Sequence, residues 1–411
     1  MKNTFPFSEL EDRFAAPAPN RFTEVLSKKQ ASGDKIVDLV NPNWYENGFA
    51  FPDELVDEAY RYALTQTRSY RPDSRGNIAL REGIAEWYGR RDESVHPDSI
   101  IITPGSSFAY LALFRLLGTN AEAICPRPSY PLFEDIATIA GWRVTEYPLD
   151  SMNGWRIDAE RLANRISKDT HVICIISPHN PTGAIVSHSE LKAIGEVATR
   201  LRIPILFDEV FCEFRFRTDD SGALLPFPRP SETDFPLFFL LNGFSKLFAL
   251  PGHKIGWIIA RGSDKDACAA SLRTLDHILD TFLPVNEVAQ AAAAYILKNE
   301  NGNFADETTR ELWERLSRNR SIIARIASDT GNQVHLPDGG VYCIISLQDG
   351  ISAEQVAIDI IEKTGIVVHP GYFYDLPNEA LVFTFLVDEN VLEECLPVLF
   401  DFLNKYATRE V

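Results

Sequence analysis

Apolar residues along this chain fall into two alternating patterns. One is a set of short unbroken runs, at 99–103, 123–126, 171–177, 203–207 and 237–242. Runs with no polar alternation are the pattern of strands covered on both faces. The other is a helical period: Leu80, Ile84 and Trp87 share one face, and the segments 130–139, 157–166 and 187–199 follow the same spacing. Further strands are expected at 35–40, 142–147 and 255–260, with a Pro-, Asp- and Ser-rich excursion at 212–236. Strand and helix repeating at this length predict an α/β fold, with a mostly parallel sheet flanked by helices.

The pattern changes after about residue 260. One long helical region is expected over 264–298 and another over 306–330. Strands at 337–346, 366–369 and 381–386, with helices at 352–364 and 391–404, predict a smaller α+β domain. The expected division is an N-terminal arm or small-domain segment (1–50), a large domain (51–290) and a small C-terminal domain (291–411).

In parallel sheets, functional groups gather at the carboxyl ends of strands. Asn180, Asp208 and Lys246 all fall there. Desolvation lowers a lysine's pKa, and the neutral amine is the form that attacks carbonyls. The strand at 99–103 runs through Gly105-Ser106-Ser107 into an apolar helix, an arrangement in which backbone N–H groups can hold a phosphate. Taken singly, each residue has a plainer reading. Lys246 could be a snorkelling lysine, Asn180 a turn residue before Pro181, Asp208 a helix cap, and Gly and Ser are common caps of strand–helix turns. Tyr70 and Tyr130 could be packing aromatics.

Composition narrows the partners. The 411 residues are 45% hydrophobic and 24% charged, with a formal net charge of -18. Such acidity opposes nucleic-acid binding and leaves small anionic ligands to local sites. The six cysteines are scattered, without a CxxC pair, and read as buried small hydrophobes; no metal site is expected. There is no run of 18 apolar residues, so no spanning helix is expected. The start, Met1 to Phe14, has neither a secretory core nor an Arg-rich transit pattern, and a cytoplasmic location is the expectation.

Four segments taken in order, Asn180-Pro-Thr-Gly183, Asp208-Glu-Val-Phe211, Phe244-Ser-Lys246 and Pro337-Asp-Gly-Gly-Val-Tyr342, resemble the signatures of pyridoxal-phosphate enzymes of the class I/II aminotransferase family (fold type I). The likeness runs from about residue 35 to 405 and implies a large domain with a seven-stranded type of sheet. It implies that Lys246, beside Ser245, carries pyridoxal 5'-phosphate as a Schiff base and moves the substrate's α-proton. Asp208 would pair with the pyridinium nitrogen and Asn180 with the phenolic oxygen. Tyr130 would stack on the ring, while Gly105, Ser106, Ser107 and Lys254 would hold the phosphate. Tyr70 would reach the neighbouring subunit's phosphate, which implies a homodimer with shared sites.

Four positions depart from the family's pattern. Gly243 stands where Ser or Thr is usual, Lys254 where Arg is usual, and Phe211 where Tyr is common. The fourth is Val382, in place of the arginine that commonly binds the substrate α-carboxylate; no arginine lies between Lys363 and Asn404. Arg71, Arg75, His369 and Asn43 are the alternative carboxylate partners, and Trp44 with the 369–374 turn predicts an aromatic-rich substrate pocket. The resemblance implies transfer of an amino group between an amino acid and a 2-oxo acid. The missing arginine keeps open another reaction on the same cofactor: β-lyase, decarboxylase, amine transaminase or oxidase. A non-catalytic binding or regulatory relative is the third reading.

Overall fold

The computed structural model describes residues 10, 14, 20–129, 132–298 and 304–407. Its first long elements are α1 (Arg21–Ala31), β1 (Val37–Asp38), α2 (Asp53–Gln66) and α3 (Ile78–Gly89). Strand and helix then alternate through β2 (Ile100–Thr103), α4 (Ser106–Leu117), β3 (Glu122–Arg127), α5 (Leu132–Ala140) and β4 (Arg143–Asp150). There follow β5 (Arg156–Ile157), α6 (Ala159–Ala163), β6 (Thr170–Ile176), α7 (His188–Leu201) and β7 (Ile205–Asp208). Past the excursion, β8 (Phe238–Gly243) leads through one-turn α8 (Phe244–Leu247) to β9 (Gly256–Arg261).

These strands form one eight-stranded sheet in the order β2-β9-β8-β7-β6-β3-β4-β5. The ladders β8–β7, β7–β6, β6–β3 and β3–β4 are parallel. β9 runs antiparallel between β2 and β8, and β5 adds a two-residue antiparallel edge. Every residue of β2, β7 and β8 is buried, as their unbroken apolar runs require. One core lies on each face: one includes Ile102, Ile175, Phe207 and Leu240, the other Ile101, Cys174, Leu206 and Leu241. All six cysteines are free and buried.

Two expected helices come out shorter. In 157–166 only α6 is helical, because Ile157 is claimed by β5 and Asp158 caps the helix. The region 264–298 divides into α9 (Lys265–Phe282) and α10 (Glu287–Leu297). The break holds Leu283 in the left-handed region at φ 42°, then Pro284, which has no N–H to continue the ladder, before Asn286 caps α10.

α10 packs against α2 and α3. α11 (Phe304–Thr330) then crosses from the core of the large sheet, at Ala305, to a separate core, at Leu312 and beyond. β10 (Val334–His335), β11 (Tyr342–Ser346), α12 (Ala353–Thr364), β12 (Ile366–Val367), β13 (His369–Pro370), β14 (Ala380–Thr384) and α13 (Glu389–Ala407) follow. β10-β11-β14-β13 make an antiparallel sheet, and β1 pairs in parallel with β12. Phe22, Leu39, Trp44 and Phe49 share the core of this second layer. Among the described residues no helix is long and apolar enough to cross a membrane.

Candidate active site

Asp208 is the last residue of β7, and the carboxyl ends of β6 and β8 flank it. The Ser177 amide donates to the Asp208 carbonyl at 2.9 Å, and the Glu209 amide to the Leu241 carbonyl at 3.0 Å. Asn180 lies four residues beyond β6, and Lys246 sits in the one-turn helix that ends β8. The sheet therefore brings the three strand-end residues to neighbouring positions on one edge.

Their environments differ in a useful way. Burial pushes the Asp208 carboxyl up to about 6, against hydrogen bonds from the Val210 amide and the Tyr110 hydroxyl that favour its charged form. The Tyr110 hydroxyl donates to Oδ2 at 2.8 Å and the Val210 amide to Oδ1 at 3.1 Å. Lys246 is half-buried, and desolvation lowers its pKa. No carboxylate among the described residues pairs with that amine, and the Phe211 ring centroid lies 5.9 Å from it. Asn180 Oδ1 is buried with no partner among the described residues. An acceptor left bare inside a protein costs about 1–3 kcal/mol, so this atom is poised for a ligand.

A second group of residues forms a cradle beside β2. Gly105 precedes α4 at φ 96° and no side chain caps the helix, so the amides of Ser106 and Ser107 are open. Lys254 Nζ lies 3.7 Å from where a Cβ on Gly105 would stand, and a Cβ on Gly256 would strike the Gly105 backbone at 2.8 Å. Open amides, a helix N-terminus and an ammonium at one point suit a phosphate. Gly243 has its own reason to lack a side chain, since a Cβ there would come 2.8 Å from the Ile255 carbonyl oxygen.

The turn at 180–183 is docked by the last of the four sequence segments. The Gly339 amide donates to the Gly183 carbonyl at 2.9 Å, and His335 Nε2 lies 2.8 Å from the Thr182 carbonyl oxygen. The Ser129 amide donates to the Tyr374 carbonyl at 3.0 Å, tying the 371–374 turn to the segment that leads into Tyr130. Tyr130 itself lies outside the described residues.

The residues expected to meet substrate are scattered. Trp44 is 1% exposed and packs on Phe49 and Phe214, so its ring is a core element. Asn43 is held in a local turn, its carbonyl accepting from Asn47 Nδ2 at 2.8 Å. Arg75 is bound by Asp276 at 2.9 Å. Tyr70 and Arg71 line a cavity of about 700 Å³ with Ser74, Gly76, Leu283 and Gln290, whose walls do not include Lys246, Asp208 or Asn180. His369 Nδ1 lies 3.2 Å from the Tyr374 hydroxyl, and burial lowers its pKa.

Two features were not anticipated from sequence. One is Tyr110, whose only outward sign is a hydroxyl in the apolar middle of α4. The other is a buried pair behind Asp208: Arg229 Nε donates to Glu209 Oε2 at 3.0 Å, and the Tyr88 hydroxyl to Oε1 at 2.5 Å.

Residues 38–399 match the family model described as Aminotransferase class I and II. The chain is 29% identical over 326 residues to an arginine–pyruvate transaminase of Pseudomonas aeruginosa, covering 79% of each protein. It is 27% identical over 351 residues to an aspartate aminotransferase of Pyrococcus horikoshii, covering 85% of this chain and 86% of the relative. Among solved structures, an alanine aminotransferase from Pyrococcus furiosus superposes with a TM-score of 0.84 at 22% identity, over 98% of this chain and all of that one (100%).

Proposed function

We propose, from the premise that this chain belongs to the class I and II aminotransferase family, that Lys246, Asp208 and Asn180 hold pyridoxal 5'-phosphate and serve a ping-pong transfer between an amino acid and a 2-oxo acid. The donor set fits that cofactor. The buried Asn180 amide has an unpaired polar atom and can turn an N–H toward the ring's phenolic oxygen, and no side chain caps the amides at the Gly105 cradle. When bound, the cofactor supplies a carbonyl that takes up amino groups and a ring that draws electrons from the substrate's α-carbon.

The protein's own groups do the rest. Lys246, its pKa lowered by desolvation, reaches more readily the neutral form that can attack a carbonyl and then carry a proton to and from the α-carbon. Asp208 holds the proton at the ring nitrogen, Asn180 orients the ring from its oxygen side, and Ser106, Ser107 and Lys254 fix the phosphate. Ser245 and Tyr130 complete the surround. Tyr70, 75% exposed, supports a reading in which it reaches the neighbouring subunit of a cytoplasmic homodimer.

The observation that carries the proposal is Lys246: a desolvated amine without a carboxylate partner, at the strand end beside buried Asp208. The test is single-turnover absorbance of the cofactor-loaded protein with a panel of amino donors. Conversion to the pyridoxamine form with at least one donor is expected. No conversion with any, together with release of ammonia or carbon dioxide, would replace transamination by lyase, decarboxylase or oxidase chemistry. Val382, fully buried at the arginine's place, is what favours that second reading.

A further inference from the structure

We infer that Tyr110 is a positioning residue of this site, its hydroxyl holding the Asp208 carboxylate oriented and ionised for the cofactor's ring nitrogen. The inference rests on the reading of the site proposed above.

Asp208 has two anchors, one for each oxygen: the Val210 amide on Oδ1 and the Tyr110 hydroxyl on Oδ2. A carboxylate has about four lone-pair sites, so both anchors leave room for a ring N–H. The two bonds fix the plane of the group. Tyr110 is also the only side chain among the described residues that donates to it. The other titratable groups nearby give no help. Glu209 is committed to Arg229 and Tyr88, and the thiols of Cys174 and Cys125 lie below Tyr110 without contributing positive charge. Desolvation favours protonated Asp208, and a hydrogen bond donated to the charged form opposes that. Tyr110 is fit for the task because it stays a donor. Burial and the adjacent carboxylate push its own pKa well above the ordinary phenol value.

Its placement is fixed from two directions. The ring is 3% exposed, edge-on to Phe133 at 4.9 Å and to Phe114 at 6.2 Å. In sequence it stands four residues after Ser106 and three after Ser107, so all three share one face of α4. One helix thus offers its first-turn amides to the phosphate end of the ligand and, one turn on, a hydroxyl to the group that meets the nitrogen end. Any tilt of α4 would move both ends together.

The test compares Tyr110→Phe with Phe133→Leu. The first removes the hydroxyl and keeps the ring; the second loosens the ring's packing and keeps the hydroxyl. In the apo-protein, the carbon-13 carboxyl resonance of Asp208, assigned with Asp208→Asn, should titrate at higher pH in Tyr110→Phe than in wild type and be unmoved in Phe133→Leu. Affinity of apo-protein for pyridoxal 5'-phosphate, read by tryptophan fluorescence, should weaken by about tenfold to a hundredfold in Tyr110→Phe, the range for a hydrogen bond to a charged group. Equal titration and equal affinity in Tyr110→Phe and wild type would overturn this inference alone, as would an equal shift in Phe133→Leu. Wild-type protein that takes up no cofactor would overturn the site reading and this inference with it.

Discussion

His369 stands directly across the β13–β14 ladder from Val382. Directly opposed residues in an antiparallel pair share a face, so an imidazole lies beside Val382, the residue that the family resemblance sets against an arginine. The other ladder neighbour of Val382 is Ile344, and neither neighbour supplies negative charge. Val382→Arg would therefore bury a guanidinium without a partner. We expect it to destabilise the protein by about 2–4 kcal/mol in urea unfolding and not to raise kcat/KM for simple amino acids. A stable variant with improved turnover would show that the site does accept a carboxylate there.

If His369 receives the substrate's carboxylate in the arginine's stead, its loss weakens binding before it weakens chemistry. His369→Ala is expected to raise KM for the amino donor about tenfold while kcat stays within about twofold. Steady-state kinetics on the best donor from the single-turnover screen decide it. Unchanged KM would leave His369 to its contacts with Tyr374, Phe373 and Phe22.

Asp208 should set function against stability. Its folded pKa of about 6 lies above the unfolded 3.8, so the folded state binds the proton more readily. Burying the ionised form opposes folding fully above pH 6, and the cost disappears as pH falls toward 3.8. Asp208→Asn is expected to unfold later than wild type as apo-protein at pH 8, by up to about 3 kcal/mol. That advantage should shrink between pH 6 and pH 4, and the variant should lose at least about a hundredfold in turnover. Denaturation of both apo-proteins across this pH range is the check.

Restoring the family's usual residue beside the lysine should do harm. A Cβ at Gly243 would stand 2.8 Å from the Ile255 carbonyl oxygen, which also accepts from the Phe244 amide. Neither partner is a flexible side chain that can step aside. Gly243→Ser is expected to lower stability by about 1–3 kcal/mol and to weaken cofactor affinity, because the β8–β9 contact that places Lys246 must open. Tighter cofactor binding in this variant would mean that the backbone yields.

The pair behind the site should matter through desolvation. Glu209 is 0% exposed and Arg229 is 6% exposed. Arg229→Met leaves a buried carboxylate with only the Tyr88 hydroxyl, at a cost of about 3–5 kcal/mol. Arg229→Met combined with Glu209→Gln should recover part of that loss. Thermal melts of the single and double variants measure the coupling.

Much of the scaffold was legible because the central strands β6, β7 and β8 are apolar along most of their length and a polar residue stands at or just beyond each carboxyl end. That pattern puts Asn180, Asp208 and Lys246 near neighbouring strand ends, and the resemblance is what implies their roles. The partners that tune them could not. Tyr110 is separated from Asp208, and Arg75 from Asp276, by long stretches of chain, and nothing local announces such pairs. Trp44 was expected in a substrate pocket because a turn with aromatics looks exposed; only packing on Phe214 shows which way it faces. The division of 264–298 is marked in the sequence by Pro284, which cannot continue a helix ladder.

The antiparallel strand β9 has a consequence for how the chain reaches this state. Among the described residues β2 has no ladder partner except β9, with Ile102 paired to Trp257, and the glycine that closes on Gly105 belongs to β9 as well. During synthesis β2 emerges long before β9 exists. The apolar Ile100–Thr103 edge must therefore stay unpaired while β3 to β8 are made, which is the situation that favours slow folding and capture by chaperones. A chain cut short before β9 would carry Asp208, Lys246 and the Ser106 and Ser107 amides, yet lack the strand that pairs with β2 and closes on Gly105.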